Sequence, residues 1–148
     1  VSDSVGPRVS VISAAYADAG ALDPPAFAPA LLPLLVGRTG IAGALVDTFV
    51  KDGRGLYGWL SEPELGELVA GTRAAGGSFG VAGQLRLGEL RRVDAEIVGV
   101  RSAVCRGGDR NAGLDADLVA SAAAEVRTLA LRPRMCQPDR QSSIVSPA

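Results

Sequence analysis

The chain has 148 residues, of which 47% are hydrophobic and 21% charged, with a net charge of -1, proportions that fit one globular domain. A near-neutral balance gives no broad cationic field, so neither nucleic acid nor a membrane surface is expected as a partner. The absence of histidine excludes Ser-His-Asp and Cys-His catalysis and every histidine-ligated metal site within this chain.

The first strand is expected over Arg8–Tyr16, with Val9, Val11 and Ile12 as its apolar residues and Asp18 beyond its end. Asp23-Pro24-Pro25 then reads as a helix start, with the helix running to about Val36. The stretch from Phe27 to Val36 is the longest apolar run; Pro29 and Pro33 interrupt it, and it falls well short of the ~20 residues a bilayer span needs. A second strand, Gly43–Val46, ends at Asp47. Ser61-Glu62-Pro63-Glu64 follows as a capping box opening a helix with Leu65, Leu68 and Val69 on one face. Gly76-Gly77 ends that helix. Phe79–Ala82 forms the third strand, stopping at Gly83-Gln84, and a short helix spans Leu85–Arg92. The fourth strand is Glu96–Val100, ending at Arg101, and the last helix starts near Asp115 and passes Leu118, Val119 and Val126. After Leu131 the apolar period stops, so residues 132–148 are expected to be a disordered tail, with a composition that also suggests a misjoined reading frame. Val1-Ser2-Asp3-Ser4 has neither an initiator methionine nor a signal pattern and reads as an internal start.

Strands alternating with helices imply right-handed βαβ units and a parallel sheet. All four strands end in polar residues, the positions that carry chemistry on the rim of a (β/α)8 barrel and also in a doubly wound sheet. A whole barrel takes eight strands and about 250 residues, so residues 1–131 read as four βα units, the C-terminal half of a TIM barrel. Such a half leaves open edges and a bare inner face, so dimerisation or aggregation is expected of the isolated chain.

Fourteen of the fifteen basic residues are arginine, and Lys51 is the one lysine. It lies in Asp47-Thr48-Phe49-Val50-Lys51-Asp52-Gly53, directly after the second strand. A carboxylate and an amine four residues apart meet if the segment turns helically. Their pairing would make Lys51 a proton donor or oxyanion partner, and desolvation would make it a base or imine former. The bland alternative is a surface ion pair of little energetic consequence. Farther on, Arg101 and Arg106-Gly107-Gly108-Asp109-Arg110 join paired glycines to arginines able to fork onto phosphate oxygens, a combination suited to anion binding. A flexible glycine turn with solvated arginines is the competing account. Gly83 and Gln84 are placed to add backbone and amide donors to the same anion. Asp18, as a strand-end carboxylate, is either a catalytic group or a cap. Cys105 lacks any catalytic partner and reads as a buried thiol. With Cys136 it makes two cysteines, too few for a disulfide framework, so a cytoplasmic setting is expected. No metal, cofactor or nucleotide motif is present.

Tyr16-Ala17-Asp18, the Asp47-to-Gly53 segment with Leu56, Leu60-Ser61-Glu62-Pro63-Glu64-Leu65, Ala82-Gly83-Gln84-Leu85 and Gly99 to Arg110 together resemble the (5-formylfuran-3-yl)methyl phosphate synthase family, in order, over roughly Val9 to Val119. The resemblance implies a TIM-barrel lyase of methanofuran biosynthesis. It would condense two molecules of glyceraldehyde 3-phosphate into a phosphorylated furan aldehyde, with class I aldolase-like chemistry. It makes Asp47 and Lys51 the acid and lysine of the sixth barrel strand, and it makes Gly83 and Gly107-Gly108-Asp109-Arg110 the phosphate loops. Gln84 stands where a serine is common. The Schiff-base lysine implied for the family has no counterpart here. A non-catalytic phosphate-binding remnant and a different phosphosugar lyase or isomerase on the same barrel are the alternatives.

Overall fold

In a computed structural model, residues 9–130 are described, and the expected tail after Leu131 lies outside them. Four strands form one parallel sheet in the order β1 (Ile12–Tyr16), β2 (Gly43–Asp47), β3 (Ser78–Val81) and β4 (Ile97–Val98). Three α-helices connect or follow them: α1 (Leu32–Thr39), α2 (Glu62–Ala74) and α3 (Ala116–Ala130). Sequential parallel neighbours joined by helical crossovers are the arrangement the strand and helix alternation implies.

The pleat divides the sheet into two unlike faces. Ala15, Val46 and Val81 share a register row, with Ala44 and Phe79 in the row before, and all five are buried against Leu32, Val36, Leu68 and Val69 of the helices. The opposite face carries Ile12, Tyr16 and Ile97, each 37–48% exposed. The apolar core therefore lies on the helical side alone.

Local chemistry explains the element ends. Ser61 Oγ accepts from the Glu64 amide while Glu64 accepts from the Ser61 amide, so the expected capping box closes α2 at its start. Gly76, with φ 85°, takes the left-handed turn that ends the helical stretch. Asp115 Oδ1 accepts from the Asp117 and Leu118 amides and caps α3.

Three expectations need correction. The first strand begins at Ile12, not Arg8, because pairing with β2 starts only at Gly43. The segment after Asp23 is not helical: α1 begins at Leu32 after a 3-10 turn at Pro29–Leu31. Pro24, Pro25 and Pro29 remove amide donors, and each disfavours helical geometry in the residue before it. The short helix before the fourth strand is 3-10, over Leu87–Arg92, and that strand is two residues long. Around β4, Arg73 of α2 pairs with Asp94 and Glu96 at 2.8 Å each, and Glu96 also accepts from the Phe79 amide at 2.8 Å. No helix among the described residues is long and apolar enough to cross a membrane.

Candidate active site

At the carboxyl ends of β2, β3 and β4 a cleft of about 410 Å³ opens. Asp47 and Lys51 form one wall, Gly83 and Gln84 the second, and Arg101 with Gly108, Asp109 and Arg110 the third. Two of the expected site residues, Asp18 and Gly107, do not line it. Ala82, Gly99, Val100 and Ser102 do; they stand within the segments that carry the family resemblance, but the sequence alone does not single them out as site residues.

Lys51 is held from below. Its Nζ donates to Asp47 Oδ1 at 3.1 Å, to Thr48 Oγ1 at 3.2 Å and to the Thr48 carbonyl. The Asp47 and Lys51 side chains keep about a third of their surface, 34% and 31%, so the amine is oriented yet reachable from the cleft. A pair this exposed adds on the order of 0–1 kcal/mol to stability, so its geometry matters more than its energy. Thr48 is the residue the sequence did not reveal: it is 1% exposed, and its amide donates to Asp47 Oδ1 at 2.7 Å, fixing the carboxylate as well as the amine.

Asp18 is 1% exposed. Its two oxygens accept from the amides of Phe49 and Val50 at 2.8 and 2.7 Å, so it holds the loop before Lys51 and does not face the cleft. Gln84 is similarly committed. Its Oε1 accepts from the Gly53 amide at 3.1 Å and its Nε2 donates to the Val50 carbonyl at 3.3 Å, so its amide is spent on the loop. Gln84 adopts φ 51°, the one non-glycine residue among those described with positive φ. Gly83 has φ 111°, and a Cβ there would stand 2.9 Å from Thr48 Cγ2 and 3.0 Å from Thr48 N. Only glycine lets the third strand's end approach the lysine loop this closely.

The third wall is anion-receptive in composition. Gly107 and Gly108, with φ 64° and 74°, reverse the chain, and Arg101 Nε donates to the Arg110 carbonyl at 3.2 Å, tying the strand end to the loop. Asp109 turns inward on its own loop by accepting from the Asn111 amide at 2.9 Å. Three cationic side chains, Lys51, Arg101 and Arg110, face two carboxylates, Asp47 and Asp109, leaving a net positive rim. Cys105 is buried, as expected, and unpaired. Among the described residues no cluster of His, Cys, Asp or Glu is arranged to hold a metal.

A parallel α/β sheet whose strand ends carry a glycine-turned cleft with a net cationic rim and an oriented lysine places this chain among α/β proteins with a polar cleft at the carboxyl edge of the sheet. Comparison with known proteins narrows that class: the 4-HFC-P synthase family model matches residues 2–123, and the chain belongs to that family. The (5-formylfuran-3-yl)methyl phosphate synthase of Methanopyrus kandleri is 42% identical over 109 residues, covering 70% of this chain and 44% of the relative. The same-named proteins of Methanococcus aeolicus and Methanococcus maripaludis are each 37% identical, over 116 and 123 residues, covering 74% and 78% of this chain and 47% and 50% of theirs. The chain spans about half the length of the curated relatives it matches. The family expected from the residue motifs is thus the family found.

Proposed function

We propose that the chain forms the C-terminal half of a TIM-barrel synthase that joins two molecules of glyceraldehyde 3-phosphate into (5-formylfuran-3-yl)methyl phosphate. Atom balance requires release of one inorganic phosphate and two waters. The observation that carries this reading is the convergence of Lys51 with Arg101 and Arg110 on one cleft at the strand ends. Arg101, Arg110 and the Gly107-Gly108 turn hold a substrate phosphate, where planar guanidinium groups match its oxygens. Lys51, oriented by Asp47, donates a proton to the oxygen that leaves as water or stabilises the oxyanion of the aldol step. The imine-forming amine of an aldolase-like route belongs to the other half of such a barrel, and the reaction class is that of a lyase. The bare sheet face with Ile12, Tyr16 and Ile97 is the interior that the remaining strands would cover. The same reading has the isolated chain self-associate, which sedimentation at several concentrations checks. The site needs no cofactor, and its setting is the cytoplasm.

The test is Lys51→Arg in a full-length family member, followed by the ultraviolet absorbance of the furan aldehyde. The charge remains but the compact donor is replaced by a bulkier guanidinium, so turnover is expected to fall on the order of 100-fold, at the lower end for general acid-base groups. Undiminished turnover would remove Lys51 from the mechanism. A second reading, binding without turnover, is favoured by one fact: the sole lysine is already engaged by Asp47 and Thr48, which leaves this chain no spare side-chain amine for an imine. Glyceraldehyde 3-phosphate bound by the isolated chain with no product formed would support it.

A further inference from the structure

The loop that carries Lys51 has few anchors of its own. Residues 49–55 form no helix or strand, Phe49 is 59% exposed, and Gly53 and Gly55 both adopt positive φ. A lysine side chain has four rotatable bonds, and on a free loop its amine would sweep a wide volume. Here the loop is gripped from both flanking strand ends. From beyond β1, the buried Asp18 carboxylate takes the Phe49 and Val50 amides at 2.8 and 2.7 Å. From beyond β3, Gln84 takes the Gly53 amide at 3.1 Å and gives its own amide to the Val50 carbonyl at 3.3 Å. Val50, the residue before the lysine, thus has its amide held by one side chain and its carbonyl by the other.

We propose that Asp18 and Gln84 are positioning residues for Lys51, a two-sided clamp that fixes where the amine stands at the cleft. Three features support this beyond ordinary loop packing. Asp18 is nearly inaccessible, and both its oxygens serve backbone amides of this loop, a commitment that stabilises a single loop conformation through charge-assisted bonds. Gln84 holds its side chain over the loop while its own backbone stays at φ 51°, a conformation that disfavours a non-glycine residue and persists where the surroundings fix it. Gly83 beside it lets Thr48 pack so closely that a Cβ would stand 2.9 Å from Thr48 Cγ2 and 3.0 Å from its backbone nitrogen. The proposal deepens the function put forward above, since a fixed amine is of use only if the cleft holds a ligand.

The composition supplies the probe. Lys51 is the only lysine, so an amine reagent reports on it alone beside the chain's α-amino group, which serves as internal reference. Reductive methylation of the 148-residue chain, read by peptide mass spectrometry, gives the Lys51 rate relative to that reference. Asp18→Asn loses the charge and presents a donor to an amide, and Gln84→Met loses both bonds. Each is expected to raise the relative rate on the order of tenfold, the scale set by loss of one charge-assisted or two neutral hydrogen bonds. Ser61→Ala weakens the start of α2 without touching the loop and should leave the rate unchanged, which separates positioning from general destabilisation. Unchanged Lys51 rates in both clamp variants, with native circular dichroism, overturn the proposal. Should Asp18→Asn not fold, amide exchange in the unsubstituted chain decides: protected Phe49, Val50 and Gly53 amides support the clamp, and exchange at the rate of an unstructured peptide refutes it. Inorganic phosphate titrated into the same chain tests the cleft separately. Failure to perturb the Arg101 and Arg110 amide resonances would remove the anion site while the labelling result on the clamp stands.

Discussion

Gly83→Ala tests how closely the third strand's end must approach the lysine loop. The glycine adopts φ 111°, where an L side chain costs on the order of 1–3 kcal/mol. The new methyl would also lie 2.9 Å from Thr48 Cγ2 and 3.0 Å from Thr48 N. Thr48 is 1% exposed and cannot swing away, so an overpacking cost of about 1–3 kcal/mol adds to the first. The expected loss is about 2–6 kcal/mol, against total stabilities of about 5–15 kcal/mol for domains generally. Urea unfolding followed through the single tryptophan, Trp59, measures it. At about 4 °C per kcal/mol for a chain of this size, the thermal midpoint falls by roughly 8–24 °C. Adding Thr48→Ala removes the contact with Cγ2 but not the one with the backbone nitrogen, so it should restore part of the loss at most. A Gly83→Ala chain within about 0.5 kcal/mol of the unsubstituted one would show that the strand end is free to retreat. The close approach at Thr48 would then have no structural consequence.

Two further outcomes follow from the same geometry. Ser61→Ala removes the hydroxyl that caps α2 and should cost about 1 kcal/mol in urea unfolding, whereas Ser61→Asp should retain most of the stability; equal losses in both would refute the capping account. Acid should also weaken the chain. The Arg54 amide and guanidinium hold Asp52 below its ordinary value of 3.8, while the Ser61 hydroxyl and amide and the Arg91 guanidinium hold Glu64 and Glu125 below 4.5. A carboxylate whose folded value lies below its unfolded one contributes stability above the unfolded value and loses it as pH falls through the folded one. The urea midpoint should therefore be flat above about pH 5 and decline below about pH 4, and a midpoint that rises on acidification would contradict these assignments.

The α/β class, the helix starts at Ser61 and Asp115 and the stop at Gly76 were legible because each rests on chemistry within a few neighbouring residues. The failed helix start at Asp23 is equally local. One proline suits the first turn, whose amides have no acceptor within the helix, but Pro25 disfavours helical geometry at Pro24 and Pro29 would remove a hydrogen bond inside the helix, so α1 forms only at Leu32. In the cleft, residue types at strand ends named Asp47, Lys51, Gly83, Gln84, Arg101 and Gly107 to Arg110, all of which except Gly107 converge there, whereas Asp18, also named, serves the neighbouring loop. Thr48 was not legible, because a threonine after a strand is common and its importance comes from burial beneath Gly83 and bonds to its two neighbours.

What local chemistry cannot supply is register, and register decides the roles of Asp18 and Gln84. The offset that pairs Tyr16 with Asp47 in the β1–β2 ladder, continued past the strand ends, brings Asp18 level with Phe49, 31 residues away, where its carboxylate takes the loop's amides. The offset that pairs Val46 with Val81 likewise brings Gly83 level with Thr48 and places Gln84 over the loop beyond it. Because a parallel sheet carries its alignment into the loops at its carboxyl edge, side chains just past one strand fall beside the backbone just past the next. A polar residue at that edge therefore has two possible audiences, the ligand and the neighbouring loop. Its exposure separates them: Asp47 and Lys51 keep about a third of their side-chain surface for the cleft, while Asp18, at 1%, faces the adjacent loop alone.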